Sequence, residues 1–156
     1  MARLAVGKNR KQVKMLMINR ERLSGWVFVS DRTAVGAGPQ KLIDLLTGPD
    51  RFLAFENPQG RFLMINRDHI VWMACRPDVD DDDYDPVHTR RVDLRLGPGG
   101  IYHGRGVMRT PAARARFSDW LNDARPFLRL VDDRFDVYVN RRLVLQATTP
   151  PARKRA

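Results

Sequence analysis

The feature that most constrains the fold is that the chain repeats itself. Under a shift of 79 residues, Val13, Met15, Met17, Leu23 and Gly25 fall on Val92, Leu94, Leu96, Tyr102 and Gly104 without a gap. A four-residue shortening changes the shift to 75, which lays Leu42, Asp44, Leu46, Phe52, Leu53 and Phe55 on Phe117, Asp119, Leu121, Phe127, Leu128 and Leu130. A shift of 74 then sets Ile65, Asn66 and Arg67 on Val139, Asn140 and Arg141. The Asp-x-Leu followed by Phe-Leu is the strongest block, and three blocks in the same order point to a duplicated unit. Such a repeat fixes the architecture in which any motif must sit.

Each copy reads as the same run of elements. Val13 to Met17 and Val92 to Leu96 alternate apolar and polar residues, the period of a strand with one face on a core. Gly97-Pro98-Gly99-Gly100 suits a hairpin turn, and Asn19 to Arg22 makes the same connection in the first copy. Trp26-Val27-Phe28-Val29, matched more weakly by Gly106-Val107-Met108, supplies the second strand. A short helix follows. In the first copy Leu42, Leu45 and Leu46 share a helical face after Gly38-Pro39, and Gly48-Pro49 ends it. In the second, Thr110 caps and Pro111 opens a helix whose apolar stripe is Phe117, Trp120, Leu121 and Ala124. Further strands are expected at Phe52 to Phe55 and Phe62 to Met73, and at Phe127 to Val131 and Phe135 to Leu145.

The fold class expected is therefore α+β and β-rich: two tandem small-barrel-like units, each strand-strand-short helix-strand-strand, packed together. Units of about 60 residues are small for independent stability, so they should share a core or a sheet. The organisation reads as a basic N-terminal arm at 1–12, unit 1 at 13–75, an acidic linker at 76–86, unit 2 at 87–147 and a basic tail at 148–156. In the linker six aspartates fall among the eight residues 78–85 between two prolines, and such a run stays solvated. A divalent cation also favours carboxylates, but the run lacks the alternating spacing and turn glycine of an EF-hand loop.

The net charge is +10 over 156 residues, and without those six aspartates the rest carries +16. An excess of this size favours an anionic partner. Arginine outnumbers lysine 23 to 5 and aspartate outnumbers glutamate 16 to 2, a skew that GC-rich coding also produces, so arginine count by itself argues little. Cys75 is the only cysteine, which excludes an intramolecular disulfide, and at the end of an apolar strand it reads as a buried structural thiol. No apolar run approaches the roughly 18 residues needed to span a bilayer, nor does the N-terminus hold a signal-peptide core. The expectation is a soluble, cytoplasmic protein.

A unit of this length that opens Val-x-Met-x-Met, reaches a glycine after a tight turn and closes Met64-Ile65-Asn66-Arg67-Asp68-His69-Ile70-Val71 resembles a small Sm-like β-barrel unit. Proteins of that type end in a similar strand, one-turn break and strand. The resemblance implies a strongly bent sheet, a tendency to form rings or pseudo-rings, and RNA binding in many members. The Asp-x-x-Met-Asn stretch that carries uridine recognition in much of that family is missing, and the helix between the second and third strands is an addition, so no binding residue is carried over.

No complete catalytic or metal constellation is present in the sequence, and no catalytic residue, cofactor or metal ligand is assigned. His69, His88 and His103 lack partners at zinc spacing, and Ser24, Ser30 and Ser118 lack a nucleophile-elbow context. The glycine-rich Gly97-x-Gly99-Gly100 and Gly104-x-Gly106 open no helix and precede no Lys-Ser/Thr, so they are hairpin residues, not a phosphate loop. Trp26, Trp72 and Trp120 are expected in the core or between the copies. Repetition of Asp44 with Asp119, and of Asn66-Arg67 with Asn140-Arg141, argues for roles in the unit itself, as helix anchors or strand-end turns.

The candidate nucleic-acid-binding residues are of two kinds. Lys8, Arg10, Lys11 and Lys14, with Arg3, form a basic arm, and Arg153, Lys154 and Arg155 form a basic tail. Flexible basic arms bind polyanions through counterion release, and solubility accounts for the same charge. A more structured cluster is expected from Arg90, Arg91 and Arg95 with Arg105 and Arg109, lining one sheet face beside Tyr102 and His103 for base stacking. Alternation puts Arg91, Asp93 and Arg95 opposite Val92, Leu94 and Leu96, and Asp93 blunts the patch. The reading is a non-enzymatic binding protein for RNA or DNA; the alternative is a protein-interaction or assembly module, an oligomeric scaffold or adaptor whose arms contact an acidic protein.

Overall fold

The structure, a computed structural model, describes residues 8–30, 40–77, 89–108, 117–123, 125–132 and 134–150. In the first half lie β1 (Lys8–Met17), β2 (Arg22–Ser30), α1 (Leu42–Thr47), β3 (Phe52–Glu56), β4 (Phe62–Asn66) and β5 (Ile70–Cys75). In the second lie β6 (Thr89–Leu96), β7 (Ile101–Val107), α2 (Phe117–Leu121), β8 (Phe127–Val131), β9 (Asp136–Asn140) and β10 (Val144–Thr148). One turn of 3-10 helix, Arg67–His69 or Arg141–Leu143, separates the last two strands of each half. Arg3, His88, Arg109, Thr110, Pro111, Ala124, the aspartate run and the tail Arg153-Lys154-Arg155 lie outside the described residues.

The ten strands form a single antiparallel sheet in the order β10-β6-β7-β8-β9-β5-β1-β2-β3-β4. Each half contributes its strands in the same sequence, fifth, first, second, third, fourth. The registers also coincide under the sequence offsets. Val13 pairs with Gly25 and Val92 with Gly104; Val27 pairs with Phe55 and Gly106 with Leu130; Leu53 pairs with Ile65 and Leu128 with Val139. Even the bulge recurs: Met17↔Ile70 shifts to Leu16↔Trp72, and Leu96↔Val144 shifts to Arg95↔Gln146. Among the described residues neither half closes on itself, so the expected barrels are five-stranded segments of one open sheet. The halves join where β9 pairs with β5, from Trp72↔Val139 to Cys75↔Asp136.

Local chemistry explains the shared geometry. A Cβ on Gly25 would stand 2.2 Å from the Glu56 carbonyl oxygen and 2.6 Å from the Phe55 ring, so the sheet can bend tightly only over a residue without a side chain. Gly104 occupies the matching place against Tyr102 and Leu130. Gly99 and Gly100 take φ of +98° and +75°, the left-handed region a β6–β7 hairpin of this length requires. Asp44 Oδ2 accepts from the Lys41 N–H at 2.9 Å and so anchors α1, which buries Leu42 and Leu46. Asn66 Oδ1 accepts from the Asp68 N–H at 3.0 Å, and Asn140 Oδ1 from the Arg142 N–H at 3.1 Å. These asparagines are the strand-end turns expected of a repeated residue.

Cross-strand partners in an antiparallel sheet point to the same face, so the registers divide the side chains into two sets. One core gathers Val13, Met15, Val27, Phe55, Ile65 and Met73 of the first half. The other gathers Val92, Leu94, Leu96, Leu128, Leu130 and Val137 of the second. These sets belong to opposite faces of the continuous sheet. The face that is interior in one half is exterior in the other, and the exchange happens at the β9–β5 junction. There Tyr138 and Phe127 reach into the first core, while Leu16 and Val71 reach into the second. All five β9 residues are buried in consequence. Cys75 is buried at 3% exposure, as its sequence context predicts. Trp72 packs at the junction and Trp120 against the second core, but Trp26 lies on the exterior of the first half, with the Arg10 guanidinium 4.4 Å over its ring. Among the described residues no helix is long and apolar enough to cross a membrane.

Candidate nucleic-acid interface

The structure brings together only part of the expected basic cluster. Register sets Arg91 opposite Arg105, Asp93 opposite His103 and Arg95 opposite Ile101, so all six share the exterior of the β6–β7 hairpin. Gln146 and Thr148 of β10 extend this face beyond Arg95 and Asp93. Arg91, Arg95 and Arg105 are exposed. None of the three has an ion-pair partner among the described residues. Like charges directly opposite one another on a sheet repel, so the Arg91–Arg105 pair is a place where a bound anion would relieve a cost already present in the fold. Asp93, on the same face, makes its close contact with His103, whose Nδ1 lies 2.6 Å from Asp93 Oδ1, and forms no ion pair with these arginines among the described residues.

Tyr102 is not on this face. It pairs with Leu94, leans over Gly104 and joins the second core, where burial, with the Asp132 carboxylate adding to it, pushes its phenol up to about 12. A ring held there cannot stack on a base bound outside. Arg90 pairs with Gly106 and also lies on the opposite face from Arg91. The side of Arg90 follows from alternation along β6, where neighbouring residues face opposite ways, but which β7 side chains share the β6 exterior depends on how Gly97 to Gly100 turn. With Arg95 set against Ile101, His103 and Ile101 become the flanking side chains, and Ile101 is half exposed.

The N-terminal basic residues are not a flexible arm either. Lys8, Arg10, Lys11 and Lys14 all belong to β1, paired from Lys8↔Ser30 to Lys14↔Ser24. An extended strand alternates, so Lys11 falls on the other face from Arg10 and Lys14. Arg10 Nη1 contacts Glu56 Oε2 at 3.3 Å while its guanidinium covers Trp26, which assigns it a local structural role. Lys14 is exposed, on the exterior of the first half, and hence on the sheet face opposite Arg91 and Arg95. The two basic regions do not converge into one patch.

Sequence reasoning missed a set of exposed apolar side chains at the two ends of the sheet: Phe52, Phe62 and Met64 at one end, Leu145 at the other. Only the strand order shows that β4 and β10 are edges. Beside β4 is an open cleft of about 380 Å³, lined by Met17, Leu23, Leu63, Met64, Ile65 and His69 among others. Among the described residues no group of three or more His, Cys, Asp or Glu is placed to hold a metal ion. No protein-family profile matches the chain, and no curated protein or solved structure matches it either.

Proposed function

We propose that the protein is a non-enzymatic binder of an anionic macromolecule, RNA or DNA, built from two tandem Sm-like small-barrel-type units and acting in the cytoplasm. The observation that carries this reading is the exposed face of Arg91, Arg95 and Arg105, where Arg91 and Arg105 sit directly opposite each other and none of the three forms an ion pair among the described residues, the one carboxylate on the face, Asp93, lying against His103. His103 and Ile101 flank the phosphate-binding groups, and the tail Arg153-Lys154-Arg155 adds charge that needs no sequence readout. The Sm-like reading draws support from the shared five-strand order and the asparagine-capped single turn before the last strand of each half.

The test is affinity for mixed single-stranded RNA and for duplex DNA across a salt series, on nuclease-treated protein. Each phosphate contact contributes about 0.7 to the salt slope on single strands and about 0.9 on duplex. The variant with Arg91, Arg95 and Arg105 all changed to Gln is expected to lose about two to three such contacts. Absence of binding at low salt, or a triple variant that binds as tightly as the parent, overturns the proposal.

A further inference from the structure

The exteriors of the two halves have diverged at matching positions. The cross-strand pair that carries Arg91 and Arg105 in the second half carries Gln12 and Trp26 in the first, under the same shift of 79. Where one copy sets two guanidinium groups opposite each other, the other presents an aromatic ring. Trp26 pairs with Glu56 on β3, and Glu56 with Phe62 on β4, so the three side chains share one face. Phe28, two residues beyond Trp26, joins them there and stacks on Phe62, with ring centroids 5.6 Å apart and planes 22° apart. We propose that this exterior of the first half is a stacking platform for the unpaired bases of a single-stranded nucleic acid. The inference rests on the nucleic-acid reading for its class of ligand, but not on the arginine face, which lies on the other side of the sheet.

The rings are held in place and still open to solvent. Phe28 covers one face of the Phe62 ring, yet Phe62 is 55% exposed, which leaves its other face for a second flat group. Trp26 is steadied by the Arg10 guanidinium, 4.4 Å over its ring, while Arg10 Nη1 contacts Glu56 Oε2 at 3.3 Å. Rings fixed in this way give up little freedom when a ligand stacks on them. Exposed Met64, two residues along β4, continues the apolar surface.

Charge complements the rings. Lys14 and Arg22 carry the same face onward along β1 and β2, opposite Ser24 and Leu16. Both are exposed, and neither forms an ion pair among the described residues. Residues on one face of a strand follow each other at about 7 Å, so the cations begin one step from Trp26. Aromatic surface beside positive charge is what a single strand requires, with bases on the rings and phosphates on the cations, and it is tolerant of sequence because every base has a flat face. A duplex cannot use the rings, since its bases are stacked on one another and offer only their edges in the grooves.

Affinities of the nuclease-treated full chain for probes of equal length test the proposal: a mixed-sequence single strand as DNA and as RNA, the corresponding duplex, and an abasic deoxyribose-phosphate chain. The parent is expected to bind single strands more tightly than the abasic chain, which has the same phosphates and no bases. Phe62→Leu keeps an apolar side chain against Phe28 but removes the ring. It should weaken single-strand binding about five- to tenfold with the salt slope unchanged, because no phosphate contact is lost. Phe62→Tyr keeps the ring and should bind as the parent does. Unchanged duplex affinity shows that both variants are folded, and the strand that loses affinity identifies whether the platform takes DNA, RNA or both. An abasic chain bound as tightly as the single strands overturns the proposal, as does an equal loss on duplex and single strand. So does parental single-strand affinity in Phe62→Leu, which assigns the rings to a protein partner or a second copy. A parent that binds no nucleic acid removes this inference together with the reading it rests on. Single-strand binding that depends on Phe62 and survives the loss of Arg91, Arg95 and Arg105 keeps the platform and overturns only the arginine face.

Discussion

Replacing Asn140 by alanine, set against the same change at Asn66, measures what the junction between the halves contributes to stability. Both side chains cap a single helical turn through Oδ1, at 3.0 and 3.1 Å, and losing such a cap costs about 1 kcal/mol. Asn140 is 3% exposed and donates a second bond to the Asp68 carbonyl across the junction. That adds about 1 kcal/mol, because an interior carbonyl then loses its donor. The expected costs are about 2 kcal/mol for Asn140→Ala and about 1 kcal/mol for Asn66→Ala, a gap of about 2 to 4 °C in Tm for a chain of this size. Urea unfolding of the two variants beside the parent reads both costs. Equal costs to within about 0.3 kcal/mol would refute the reasoning, since the two sites would then differ in nothing that matters energetically.

Further predictions follow from the same geometry. Gly25→Ala places a methyl 2.2 Å from a backbone carbonyl and should cost about 3 kcal/mol, whereas Gly104→Ala meets side chains that can shift and should cost about 1 kcal/mol, both read by thermal unfolding. Tyr102, with its folded-state value raised from 10.0 to about 12, stabilises the fold fully below pH 10, and that contribution is lost as pH rises toward 12. Denaturant midpoints of the parent should fall across that window more steeply than those of Tyr102→Phe, and parallel curves would remove Tyr102 from the second core. On the arginine face, Arg91→Gln should weaken nucleic-acid binding and lower the salt slope by about 0.7 to 0.9, while Arg10→Gln, already engaged by Glu56 and Trp26, should leave the slope unchanged.

The continuous sheet has a consequence for any surface on this protein. In a strand with one buried face, alternation separates interior from exterior, yet here each face changes role halfway along the sheet. Lys14 and Leu94 lie on the same face, one in solvent and one in a core. Basic residues gathered by type alone therefore fall on opposite faces. An electrostatic surface can be read here only half by half.

Much was legible in the residues themselves. The repeat offsets, the alternation of β1 and β6, the glycine hairpin, the helix anchored at Asp44 and the strand-end asparagines are all local. Each is written in spacing of a few residues, and each recurs in register in the structure. The placement of Tyr102 was not legible, because a one-residue difference in hairpin register inverts a whole strand, whereas alternation along β6 by itself sets Arg90 opposite Arg91. Lys8, Arg10 and Lys11 read as an arm because their polarity masks a strand whose β2 partner lies across a turn. The sequence by itself determined a duplicated β-rich unit and its turns, since these depend on neighbours along the chain. Only the tertiary structure decided that the halves join through β9 and β5 into one open sheet and that β4 and β10 are its edges. Pairing between strands distant in sequence depends on which faces are left to bury once the local elements exist.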